Sequence, residues 1–178
     1  MTKPKPANPA LSISDADLTS ALAQIGTELD QQPLRSSALA RIMRETFLGS
    51  DAGGAWDWRM AYDLMQAAAV QVLLREACAA GDIAAARLLA SRLLTETRRS
   101  EQQIRLQQFS TPLAFAALTV RAAAIRKGET VLEPSAGTGA LAAFAARAGA
   151  TLLLNEIDPF RQSLLRAVYG GEVTGHDG

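Results

Sequence analysis

Val131-Leu132-Glu133-Pro134-Ser135-Ala136-Gly137-Thr138-Gly139 is the stretch on which the reading of the fold turns. A strand over 130–133 runs into a turn holding two glycines, and an apolar run beginning at Ala140 then opens a helix. Only glycine lets a backbone pass this close to a ligand. Strand, glycine turn and helix in that order open a βαβ unit, whose first strand is expected to be buried.

Downstream the alternation continues. A helix over 140–148 is followed by a strand over 151–155, a helix over 159–169, the turn Gly170-Gly171 and a short third strand over 172–176. Such alternation implies a parallel sheet with right-handed crossovers. Just upstream, Pro112 starts a helix expected to reach residue 126.

The first half obeys a different grammar. Ser14 and Asp17 fit a capping box ahead of Leu18, Leu22, Ile25 and Leu29, whose spacing makes one apolar stripe. A second helix over 35–48 aligns Leu39, Met43 and Phe47, and the glycines at 49, 53 and 54 mark the loop after it. A third over 57–79 aligns Ala61, Met65, Ala68 and Val72. Gly81-Asp82 separates it from a fourth running through Leu88, Leu89 and Leu93. Four helices therefore precede residue 105, and no internal repeat is visible.

The 178 residues are 48% hydrophobic, enough for a real core. Lys+Arg and Asp+Glu both number 18, so any contact with nucleic acid, membrane or an acidic substrate has to come from local patches. The single cysteine, Cys78, excludes an internal disulfide and a cysteine-based zinc cluster, and suits a reducing cytoplasm. Residues 1–12 carry Lys3, Lys5, Pro4, Pro6 and Pro9 without a following apolar run, which reads as a disordered arm and not as a secretion signal. The longest apolar stretch, 114–125, is broken by Arg121 and falls short of the ~20 residues that span a bilayer.

The chemistry-bearing residues gather around the glycine turn. Gly137-x-Gly139-x-x-Ala142 satisfies a relaxed dinucleotide fingerprint, so a nicotinamide or flavin site competes with other readings. Charge separates them. A dinucleotide would bring its pyrophosphate beside Glu133, a like charge, whereas S-adenosylmethionine brings an ammonium and a sulfonium that a carboxylate stabilises. In Asn155-Glu156-Ile157-Asp158-Pro159, Glu156 ends the second strand, where a carboxylate can accept both ribose hydroxyls. Asp158 before proline reads as a helix cap.

In Gln108-Phe109-Ser110-Thr111-Pro112, hydroxyls stand just before a proline-started helix, a good cap and equally a place to hold the cofactor's carboxylate. Asp177 follows the third strand and either accepts from an adenine amine or belongs to a frayed terminus. His176 has no partner that would make it a base. Trp56, Trp58 and Arg59 read as core and rim before they read as a base-stacking platform, and Arg87, Arg92, Arg98, Arg99 and Arg105 as a solvated face.

Taken in order, Gln108 to Pro112, Glu133 to Gly139, Asn155 to Pro159 and Asp177 resemble the cofactor motifs of adenine-specific DNA methyltransferases, across the C-terminal 71 residues. The Phe-Ser-Thr-Pro and Glu-Pro-Ser-Ala-Gly-Thr-Gly wording looks more closely like the methylase region of large bacterial methylase-helicase fusion proteins of the strawberry-notch-like group. The fold expected is therefore α/β: a helical N-terminal domain, 13–107, read from the apolar spacing above, precedes what the resemblance implies is a partial Rossmann-like, class I methyltransferase sheet, 108–178. It implies methyl transfer from S-adenosyl-L-methionine to an exocyclic amine of a nucleic-acid base, DNA foremost. Thr111 and Phe109 would then lie at the methionine end, Glu133 and Gly137 beneath it, Glu156 on the ribose and Asp177 on the adenine.

The cofactor-binding set expected in full is Phe109, Ser110, Thr111, Glu133, Pro134, Ala136, Gly137, Gly139, Glu156, Ile157 and Asp177, with no metal ligand among them. One departure concerns catalysis. The family holds its target amine with an Asn/Asp-Pro-Pro-aromatic tetrapeptide, and none occurs in this sequence, so no catalytic residue is assigned and the chain reads as an amino-terminal fragment. Lacking a fourth strand, the first would be an exposed edge through which two copies pair unless the helical half folds over it. A dinucleotide oxidoreductase and a non-catalytic interaction module are the competing readings.

Overall fold

The computed structural model describes residues 13–75, 82–96 and 110–177. Helix α1 (Asp15–Gln31) starts where Ser14 caps it: the Asp17 N–H donates to Ser14 Oγ at 3.1 Å, and the Ser14 hydroxyl donates back to the Asp17 carboxylate at 2.6 Å. Leu18, Leu22, Ile25 and Leu29 are all buried, as their spacing predicts. Helix α2 (Ser36–Thr46) is shorter at both ends than expected. Phe47 takes its C-cap position, and Leu48 turns left-handed at φ 50° and is 93% exposed.

The loop that follows is closed by Trp56, whose indole N–H donates to the Gly49 carbonyl at 3.0 Å. Trp56 is buried and meets Trp58 edge-on at 5.6 Å, the core-and-rim arrangement. Helix α3 (Trp58–Arg75) is buried on nearly every side, not along one stripe. It touches α1 and α2 as well as two helices of the C-terminal half. Residues 76–79 of the expected helix, with Cys78, lie outside the described residues.

Asp82 caps helix α4 (Ile83–Ala90) by accepting from the Ala84 and Ala85 amides. Arg92 corrects the expectation of a solvated basic face. Its guanidinium donates to the carbonyls of Leu29 and Asp30, where α1 ends with unsatisfied acceptors. Arg98, Arg99 and Arg105 lie outside the described residues.

From residue 113 the chain alternates: α5 (Leu113–Ala123), β1 (Thr130–Glu133), α6 (Ala140–Arg147), β2 (Thr151–Asn155), α7 (Pro159–Tyr169) and β3 (Val173–Thr174). The strands lie in the order β1-β2-β3, both pairs parallel, with Leu132 opposite Leu153 and Leu154 opposite Val173. Helix α5 stops before residue 126 because Ala124 adopts a left-handed conformation. The third strand is two residues long where five were expected.

The fold is thus α/β, with seven helices and a small parallel sheet among the described residues. No helix among them is long and apolar enough to cross a membrane. The first strand, expected to be buried, has no fully buried residue: Thr130 and Leu132 are exposed, and Val131 and Glu133 half-buried. Val131 and Leu152 pack on the core while Leu132 and Leu153, on the opposite face, are 64% and 53% exposed, because no described element lies over that face. The main core cluster runs from α1 through α5 and takes in Phe144 of α6 and Leu164 of α7.

A buried ionic network ties α3 to α7. Arg161 donates to one oxygen of Asp63 from Nη2 at 2.8 Å and from Nε at 3.1 Å, and Arg59 reaches Asp158 at 2.9 Å and Asp63 at 3.4 Å. Burial pushes the Asp63 carboxyl above its ordinary value, against the pull of the two guanidiniums. Burial also works against the charge on Arg161, but the hydrogen bonds and charge of Asp63, with the charges of Glu156 and Asp158, outweigh it and hold the guanidinium above its ordinary value. Asp63→Ala, which strands a buried guanidinium, is expected to cost about 3–5 kcal/mol in urea unfolding. The double variant Asp63→Leu, Arg161→Met is expected to recover most of that loss.

Candidate functional site

Parallel strands present their carboxyl ends along one edge, and there the sheet meets two tight turns. Glu133 closes β1 half-buried; burial raises its carboxyl above the ordinary carboxylate value, and a hydrogen bond from the Ser135 backbone amide opposes that rise. The turn then continues the ladder: the Ala136 N–H donates to the Asn155 carbonyl at 2.8 Å, and the Gly139 N–H returns to the Ala136 carbonyl at 2.8 Å. Gly137 and Gly139 both sit at positive φ, 57° and 91°.

Gly139 is required twice over. A Cβ placed on it would lie 2.9 Å from the ring of Tyr169, whose hydroxyl donates to the Gly139 carbonyl at 2.7 Å. Burial pushes the Tyr169 phenol far up, so it remains a donor.

The end of β2 supplies the second turn. Glu156 is 5% exposed, and both of its oxygens already accept from backbone: Gly137 N–H at 2.7 Å and Asp158 N–H at 2.8 Å. Each oxygen keeps a second lone pair, which is what a ribose hydroxyl would use. Asp158 caps α7, accepting from Phe160 at 2.9 Å and Arg161 at 3.1 Å, the role its place before proline predicts. Ile157 stands 44% exposed on the rim.

Asn155 uses its whole side chain. Its amide nitrogen donates to the carbonyls of Pro134 and His176, and its oxygen accepts from the Thr174 hydroxyl and the His176 N–H. All four valences of the amide are spent on joining the ends of the three strands.

Seven of the expected residues therefore come together at the strand ends: Glu133, Pro134, Ala136, Gly137, Gly139, Glu156 and Ile157. Asp177 is exposed next to His176, which Asn155 holds. The remainder sit apart. Pro112, not Ser110 or Thr111, occupies the N-cap of α5, and no side chain caps that helix, which corrects the expectation of a hydroxyl cap. Thr111 is exposed, and Phe109 lies outside the described residues. Among the described residues no cluster of His, Cys, Asp and Glu is arranged to hold a metal ion.

No family model, curated protein or solved structure matches this chain. A hollow of about 590 Å³ lies elsewhere, lined by Leu132, Leu152, Leu153, Tyr169 and Val173 among others, without Glu133, Gly137 or Glu156.

Sequence reasoning missed Asp63, Gln66, Arg161 and Tyr169, which shape this edge without lying in a recognisable motif, and gave Asn155 no role within the motif it opens. One signal was present: Arg59, Asp63 and Gln66 interrupt an apolar helix at a spacing of four and three, which puts them on one face. Gly139→Ala combines a left-handed non-glycine residue, costing roughly 1–2 kcal/mol, with a clash against Tyr169. It is expected to lower the melting temperature by more than the left-handed penalty alone would. A Gly139→Ala protein melting with the parent would refute the packing role.

Proposed function

We propose that the strand-end edge of the sheet binds S-adenosyl-L-methionine as the cofactor half of a Rossmann-like class I methyltransferase, whose substrate is an exocyclic base amine in nucleic acid, DNA foremost. One observation carries the reading. Glu133 is a half-buried carboxylate at the carboxyl end of β1 that makes no ion pair among the described residues, so it stands ready for a cationic ligand. The strand order, the two positive-φ glycines and the acidic end of β2 support the same reading, though a dinucleotide site would share them. Glu133 disfavours the dinucleotide because a pyrophosphate on this turn would approach an unneutralised charge. We place the protein in the cytoplasm, where its one cysteine stays reduced.

Glu133 is also the cleaner probe. Replacing Glu156 would release the Gly137 and Asp158 amides along with any ribose contact, whereas Glu133 takes part in no such tie between turns. Calorimetry is expected to show heat with S-adenosylmethionine and with S-adenosylhomocysteine, and none with NAD. The sign of the pH effect follows from the raised carboxyl. In the free protein, the contribution of Glu133 to stability is full below the unfolded carboxylate value and lost as pH rises through the folded one. Ligand affinity runs the other way, growing as the carboxylate forms, and Glu133→Gln is expected to flatten that rise. Binding of NAD with no heat from either sulfur ligand overturns the assignment.

We also propose that two copies associate along β1. It is an edge strand with Leu132 exposed beside it, and unpaired N–H and C=O groups on such an edge template a further strand. Light scattering is expected to report a dimer that Leu132→Lys shifts toward monomer. A strictly monomeric parent at high concentration, with Val131 and Leu132 amides protected from exchange, refutes it.

A further inference from the structure

Helix α3 reaches both strand-end turns, through one polar stripe in an otherwise apolar helix. Arg59 bonds Asp158, Asp63 takes Arg161, and Gln66 Oε1 accepts from the Thr138 hydroxyl at 3.0 Å. Asp158 and Arg161 belong to the turn and helix after β2, while Thr138 lies between the two glycines of the turn after β1. Thr138 is 3% exposed, and the Gln66 amide is itself held by a bond to the Glu96 carboxylate. The helix therefore grips both strand-end turns from below.

The glycine turn needs such a grip. Gly137 and Gly139 leave its backbone more freedom than other residues would, and a ligand that has to order the turn on arrival binds less tightly for it. The bond from Thr138 to Gln66 anchors the middle of that turn to a buried helix before any ligand arrives. The ladder and Glu156 hold Ala136 and Gly137 on one side of it, and Tyr169 holds Gly139 on the other. Thr138 is the one residue between them whose side chain ties the turn to the first half of the chain.

We infer that Gln66, acting through Thr138, is a positioning residue for the glycine turn, so that the first half of the chain sets the ligand affinity of the second. The inference rests on the cofactor reading above for its ligand, but not for its mechanical part. By linkage, a shift of α3 changes affinity, and ligand binding in turn tightens α3.

Three variants test it: Thr138→Val and Gln66→Leu, which remove the polar groups with little change of volume, and Thr138→Ser, which restores the hydroxyl. Thr138→Val is expected to weaken S-adenosylhomocysteine binding about tenfold, the worth of roughly one hydrogen bond. Thr138→Ser is expected to bind like the parent, and the double variant Thr138→Val, Gln66→Leu no worse than either single, because the two act through one bond. In ligand-free protein, amide exchange at Gly139 and Ala140 is expected to quicken in Thr138→Val and Gln66→Leu but not in Thr138→Ser.

Parent-like exchange in all variants refutes the positioning role, and so does a Thr138→Ser protein as impaired as Thr138→Val. If the parent binds neither S-adenosylmethionine nor S-adenosylhomocysteine while exchange still quickens in Thr138→Val, the cofactor reading falls and the positioning role stands.

Discussion

The carboxylate of Glu156 is the constraint on which the geometry of the strand-end turns depends. A charge at 5% exposure is costly unless it is hydrogen-bonded, and here it is met by two backbone amides from two different turns and by the field of Arg161. Each charge-assisted bond of this kind is worth about 1.5–3 kcal/mol. Because the donors belong to Gly137 and Asp158, the stabilisation of one side chain fixes the distance between the two loops. Asn155 repeats the device one residue earlier, with neutral groups, across all three strand ends.

The charge on Glu156 is bound up with the helical half. Arg161 lies within its field, and Arg161 in turn is held by Asp63 on α3, with Arg59 bridging Asp63 and Asp158. Buried ion pairs seldom add much stability over apolar replacements, but they specify one arrangement, since any other leaves a charge unpaired. This network accordingly works as a registration device between α3 and α7, while the apolar cluster around Leu22, Met65, Phe144 and Leu164 supplies the burial. A three-stranded sheet with one open face could not supply that burial alone.

Local signals were legible in the sequence wherever one residue type has one strong local reason. Ser14 and Asp158 cap the helices their positions predict; β1, β2 and α7 fall on the expected residues; and Gly137 and Gly139 take the positive φ that a tight turn demands. Long-range pairing left no comparable trace. The spacing of Arg59, Asp63 and Gln66 puts Asp63 on a polar stripe but says nothing of its burial or of its partner Arg161, 98 residues away, and nothing local distinguishes Arg92 from a surface arginine until α1 ends beside it. The hydroxyls before Pro112 misled for a related reason: proline itself took the N-cap position, leaving Thr111 outside the helix and exposed.

The two carboxylates at the strand ends are therefore unequal, and on the proposed reading the inequality bears on which ligand would bind there. Glu156 has its charge answered inside the protein, by two amides and a guanidinium. Glu133 has a single backbone amide and a burial that works against its charge. A pair of acids set in such different surroundings takes different roles. Glu156 holds structure, with its spare lone pairs left for neutral hydroxyls. Glu133 carries a half-buried negative charge at this edge with no ion pair among the described residues, which on the proposed reading an ammonium or sulfonium would neutralise and a phosphate would have to oppose.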